Sequence, residues 1–198
     1  MSARRSSIPR AAVVLLAIAV GALLVRPSLA GDSADPAKER LANIEASLPT
    51  EPDARVYRLS TAAYAALDAK EFDKAESYAN ELLAAFNVRR DNWYFGNAVF
   101  HGNNVLGRVA LERDGNLARA ETYLLAAGRT PGSPQLASFG PNMSLAKELL
   151  ERGERGAVLE FLDQCAKFWK SGAERLSVWA DAINGGQMPD FELNLNYT

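Results

Sequence analysis

The chain has a single cysteine, Cys165, and a single histidine, His101, in 198 residues. One cysteine excludes an internal disulfide, and its apolar setting "FLDQCAKFW" makes Cys165 an expected buried thiol. One cysteine and one histidine also exclude the Cys/His sets that hold structural zinc, and neither HExxH nor CxxC occurs. GxSxG and the Walker phosphate loop are lacking too. Carboxylates such as Glu39, Glu45 and Asp73 fall on hydrophilic helix faces, where solvation accounts for them. No catalytic residue, cofactor or metal site is therefore assigned, and the chain does not read as an enzyme. Basic charge is not in excess: 22 Lys and Arg stand against 24 Asp and Glu. That balance argues against nucleic acid as a partner, because neutralising phosphates needs a surplus of cations. Val and Ile are too sparse for a sheet, which leaves an all-α chain.

What is present begins with an export signature. "MSARRSSIPR" carries Arg4, Arg5 and Arg10 and no acid, and "AAVVLLAIAVGALLV" follows as a fifteen-residue apolar run. "RPSLA" then places Ser28 and Ala30 at small-residue positions. This order is that of a secretory signal peptide over residues 1–30, cleaved after Ala30. The run is short of the roughly 20 residues a membrane span needs. Anchoring by residues 11–25 is the alternative, and it is the one route to a membrane. Loss of residues 1–30 removes four arginines, leaving 18 basic against 24 acidic residues and a charge of −6. The expected location is periplasmic or secreted.

Residues 31–52 read as a polar linker with a short helix. Beyond them, Ala, Leu, Glu, Lys and Arg dominate, and Pro or Gly punctuates the segments. The pattern predicts helices near 37–48, 53–69, 71–86, 92–113, 116–128, 142–152, 154–170 and 173–184. Residues 171–198 form a capping helix and an irregular tail, which docks through Phe191, Leu193 and Leu195.

Three segments between 53 and 170 share a grammar. A small residue (Ala63, Gly107, Ala146) is followed one turn later by Ala66, Ala110 or Leu149. After a tight turn, a second helix opens with Phe72 and Ala75, Leu117 and Ala120, or Val158 and Leu159. Ala79 and Leu82, Leu124 and Ala127, or Leu162 and Cys165 close it. Small residues at these positions allow two antiparallel helices to approach closely. The arrangement resembles the tetratricopeptide repeat, although Ala75 to Ala120 spans 45 residues and Ala120 to Val158 spans 38, against a family period of about 34. The family's Trp and Tyr are mostly missing. The resemblance implies antiparallel helix pairs forming a short, TPR-like, right-handed solenoid.

It also implies a concave groove lined by the first helix of each pair, and with it a protein or peptide partner. Carried onto this chain, the groove positions are Ser60 and Tyr64, then His101, Asn104 and Arg108, then Met143 and Lys147. His101, Asn104 and Arg108 are spaced i, i+3 and i+7 and share one helix face. The alternative is a small-ligand-binding protein or small enzyme with a pocket around His101, built with Asn104, Tyr64 and the Phe139 loop. A third reading is a structural element of an envelope assembly. Residues 127–145, rich in Pro and Gly, read as a rigid connector anchored by Leu136 and Phe139, with Ser144 helping to cap the next helix. Trp93, Tyr94, Phe95, Phe168 and Trp169 are expected in packing, and Trp179 as a cap on the last repeat.

Overall fold

The computed structural model describes residues 35–195; the expected signal segment lies outside them, as do the first linker residues and the last three of the tail. The described chain is helical, without strands. Helix α1 runs Pro36–Ala46, opened by Asp35, whose carboxylate accepts from the Ala37 amide at 3.0 Å, and by a proline in the first turn. The expected helix over 53–69 is three pieces. These are α2 (Pro52–Arg55), a 3₁₀ turn over Val56–Arg58, and α3 (Leu59–Asp68). The remaining elements are α4 (Phe72–Asn87), α5 (Phe95–Glu112), α6 (Leu117–Gly128), α7 (Pro134–Phe139), α8 (Ser144–Leu150), α9 (Arg155–Phe168) and α10 (Ala173–Asn184). None of these helices is long and apolar enough to cross a membrane.

The pairs α3/α4, α5/α6 and α8/α9 turn in the same way. Each turn holds one residue in a left-handed conformation: Lys70 at φ 58°, Gly115 at 62° and Gly153 at 92°. The next residue donates its amide back to the preceding helix, Glu71 to Ala66, Asn116 to Ala110 and Glu154 to Leu149, at 2.8 to 3.0 Å. These bonds satisfy helix-end carbonyls that otherwise lack partners. Their acceptors are the same three residues that recur in the sequence pattern.

The small residues mark the close contacts. A Cβ at Gly107 on α5 would lie 2.3 Å from Leu145 Cδ2 on α8, and one at Gly128 on α6 would lie 2.1 Å from Gln164 Oε1 on α9. Ala63, Ala66, Ala75, Ala79, Ala110, Ala120, Ala127 and Ala146 are all buried. Around them Leu59, Leu67, Leu82, Phe86, Phe100, Leu124, Leu149 and Phe161 fill the interior. Burying each such side chain is worth about 1.5–3 kcal/mol. That apolar burial, rather than the many exposed ion pairs, holds the pairs together.

The connector over 129–143 differs from expectation by containing a helix. Ser133 accepts from the Leu136 amide at 3.0 Å, Pro134 occupies the first turn, and Gly140 closes α7 at φ 84°. Leu136 is buried as expected, but Phe139 is 61% exposed. Ser144 does not cap α8 with its hydroxyl. Asn142 Oδ1 accepts from the Ser144 amide at 2.9 Å, and the hydroxyl donates to the Leu195 carbonyl. The tail docks through Phe191, which packs against Trp179, whereas Leu193 is 81% exposed. Trp93 is also largely exposed and stacks on Tyr57 at 5.9 Å. Tyr94, Phe168 and Trp169 are buried in packing.

Candidate functional site

Asn97, His101, Asn104 and Arg108 lie at i, i+4, i+7 and i+11 on α5, which puts them on one stripe. The stripe faces other helices. Asn97, His101 and Asn104 are buried; α3 sends Tyr64 toward them, and its hydroxyl donates to Asn104 Oδ1 at 3.1 Å and lies 3.3 Å from His101 Nδ1. Asn104 Nδ2 donates to the Asn142 carbonyl at 3.4 Å. Asn97 donates to Gln135 Oε1 at 2.9 Å and accepts from the Ser133 hydroxyl. Burial disfavours the imidazolium and holds His101 down at about 4, so the ring is neutral at ordinary pH. The same burial pushes the Tyr64 phenol far above its usual value.

At the stripe's end Arg108 joins two carboxylates. Its Nε donates to Glu148 Oε1 at 2.7 Å and its Nη2 to Glu112 Oε1 at 3.0 Å, while Lys70 also reaches Glu112. Burial raises the Glu148 carboxyl against the pull of Arg108.

This geometry corrects the groove expectation for most of its residues. Ser60, Tyr64, His101, Asn104 and Met143 are buried rather than lining an open face. Ser60 shares a hydrogen bond of 2.9 Å with the Tyr94 hydroxyl. Tyr64, His101 and Asn104 are brought together, but as an internal polar seam joining α3, α5 and the start of α8. Arg108 is tied to the two acids. Lys147 is the member of the set whose side chain reaches solvent most, and it pairs with Glu151 at 2.9 Å. Amides and an imidazole inside a helical core need partners, and here they find each other. Cys165 is fully buried on α9, with its thiol pushed well up by desolvation. Among the described residues no group of His, Cys, Asp or Glu is arranged to hold a metal.

An open cleft lies elsewhere. It measures about 970 Å³ and is bounded by α7, α10 and the tail. Its floor holds Trp169 and Trp179, 3% exposed each and 5.9 Å apart. Gly140 and Gly172 back the Trp169 ring so closely that a Cβ at either would fall within 2.6 Å of it. Around the floor stand Phe139, Val178, Met188 and Leu193, which are 61, 59, 45 and 81% exposed. Their residue spacings follow no helical or strand period, because three separate segments supply them. The sequence offers only one signal for this site, the aromatic and Gly/Pro content at 131–141 and 186–191.

Comparison of the chain with protein-family models, curated proteins and solved structures finds no significant match.

Proposed function

We propose that this protein is a non-catalytic, TPR-like helical-repeat protein, periplasmic or secreted, that binds a protein or peptide segment. The repeat reading rests on the order of packing. α3 lies against α4 and α5, α4 against α5, α5 against α6 and α8, and α6 against α8 and α9. Each pair thus meets the next through both of its helices, which supports a stacked solenoid, and α10 packs on α9 beyond the last pair. The binding reading rests on the cleft. Four large apolar side chains converge there in solvent, although monomeric proteins keep contiguous apolar patches small. The seam at Tyr64, His101 and Asn104 has its hydrogen bonds inside the core, so the cleft is the better receptor surface.

The test is photo-crosslinking in intact cells, with benzoylphenylalanine at Val178, at Leu193, or at Ser77 on the exposed side of α4. Protein-sized adducts at Val178 and Leu193, with none at Ser77, are expected. Equal adducts at all three positions, or none at any, would remove the cleft from consideration. A second reading, small-ligand binding, is favoured by the cleft's volume, which falls within the range of small-molecule sites. Adducts of only a few hundred daltons would establish it instead.

A further inference from the structure

The rim of the cleft is acidic. Glu174, Asp190 and Glu192 line it against one guanidinium, Arg175. That guanidinium is already engaged. Its Nη1 donates to Asn194 Oδ1 at 3.1 Å, its Nη2 lies 4.0 Å from Glu192, and its carbon sits 5.7 Å over the Trp169 ring. Among the described residues, Glu174 and Asp190 have no cationic partner; the Asp190 carboxylate accepts from the Glu192 amide through Oδ1, at 3.0 Å. The floor adds a second observation. Trp179 Nε1 donates to the Asp190 carbonyl at 2.9 Å, but the buried Trp169 Nε1 has no acceptor among the described residues. An indole N–H shut from water without an acceptor keeps its desolvation cost, which an acceptor would relieve.

We propose that the segment taken by this cleft is a basic, apolar-anchored peptide. Its large apolar side chains seat among Phe139, Val178, Met188 and Leu193, its Lys or Arg residues face Glu174 and Asp190, and a backbone carbonyl is the kind of acceptor Trp169 lacks. This rests on the cleft-binding reading above and adds the partner's chemistry to it. The division of labour follows from magnitudes. Exposed ion pairs contribute little each, so the apolar contacts carry affinity, and the acidic rim selects the sign of the partner's charge.

The experiment measures fluorescence anisotropy of three labelled synthetic peptides against the full chain, at low and at physiological salt. One peptide carries Leu and Lys, one carries Leu and Glu in the same order, and one carries Ser and Lys. The Leu/Lys peptide is expected to bind about tenfold or more tightly than either of the others, with the preference falling as salt rises. Glu174→Lys should narrow the Leu/Lys over Leu/Glu preference by about threefold. Val178→Ser with Leu193→Ser should weaken Leu/Lys binding by about tenfold, while thermal melting confirms that each variant folds. Equal binding of Leu/Lys and Leu/Glu, both lost in the Ser variant, would overturn the charge selection and leave the cleft as a receptor. Equal binding of Leu/Lys and Ser/Lys would overturn apolar anchoring. Binding untouched by the Ser variant would overturn both readings.

Discussion

The Tyr64 hydroxyl on α3 donates to Asn104 Oδ1 on α5 at 3.1 Å, with both side chains closed off from solvent. The Asn104 amide also donates to the carbonyl of Asn142, just before α8, so one side chain ties together segments that are 40 and 38 residues from it in sequence. A buried polar group that loses its partner keeps its full desolvation cost. Asn104→Leu is therefore expected to destabilise the fold by about 2–3 kcal/mol and Tyr64→Phe by about 1–2. The double variant should cost less than the sum, since both changes delete the same bond. Urea denaturation of the four proteins measures this, and strict additivity would show that the bond contributes nothing.

His101 makes stability depend on pH in a definite direction. The unfolded chain takes up a proton near the ordinary value of 6.5, whereas the buried imidazole resists until about 4. Its contribution is present in full above 6.5, lost progressively as pH falls to 4, and unchanged below that. The loss amounts to about 3 kcal/mol. Carboxylates begin to titrate over the same interval, so the informative quantity is wild type minus His101→Gln. That difference should shift by about 3 kcal/mol between pH 7 and pH 4 in denaturant titrations. A constant difference would mean that the ring is not held neutral.

Two glycines flanking the start of α9 separate backbone strain from crowding. A Cβ would meet nothing within 4 Å at either Gly153 or Gly156, but Gly153 has φ 92° while Gly156 lies in the first helical turn. Gly153→Ala is expected to cost about 1–2 kcal/mol. Gly156→Ala should gain about half a kcal/mol by restricting the unfolded chain. At Gly96 space decides instead: a Cβ there would lie 1.7 Å from the Gly132 carbonyl oxygen, a backbone atom. Gly96→Ala should cost about 3 kcal/mol or more. Thermal melts should place Gly156→Ala above wild type and the other two below it.

Cys165 is fully buried and its thiol is pushed well up, so native protein should react with a disulfide reagent only when it opens. Reaction in buffer is expected to be about a thousandfold slower than in strong denaturant. A rapid stoichiometric burst in buffer would contradict the packing of α9.

The pairing of the helices was legible because its causes are local. Gly115, Gly153 and the Pro residues punctuate the chain where helices end, and small residues such as Gly107 and Ala63 stand where another helix must come close. The break between α2 and α3 and the short α7 were not legible. Each is a matter of a few residues whose intrinsic preference is slight, and their neighbours decided it. The α5 stripe was half legible. The spacing of His101, Asn104 and Arg108 states that they share a face, but a period carries no information about what that face meets. Only the approach of Tyr64 and Asn142 made it an internal seam. The cleft was barely legible: beyond the aromatic, Gly and Pro content near it, Phe139, Trp169, Val178 and Leu193 come from different segments and no period joins them. By itself, then, the sequence determined the helices and the positions where they touch, because hydrogen bonding and close packing act over a few residues. Which polar face was buried and where apolar side chains stayed in water was decided by tertiary structure, because those depend on which distant surfaces meet.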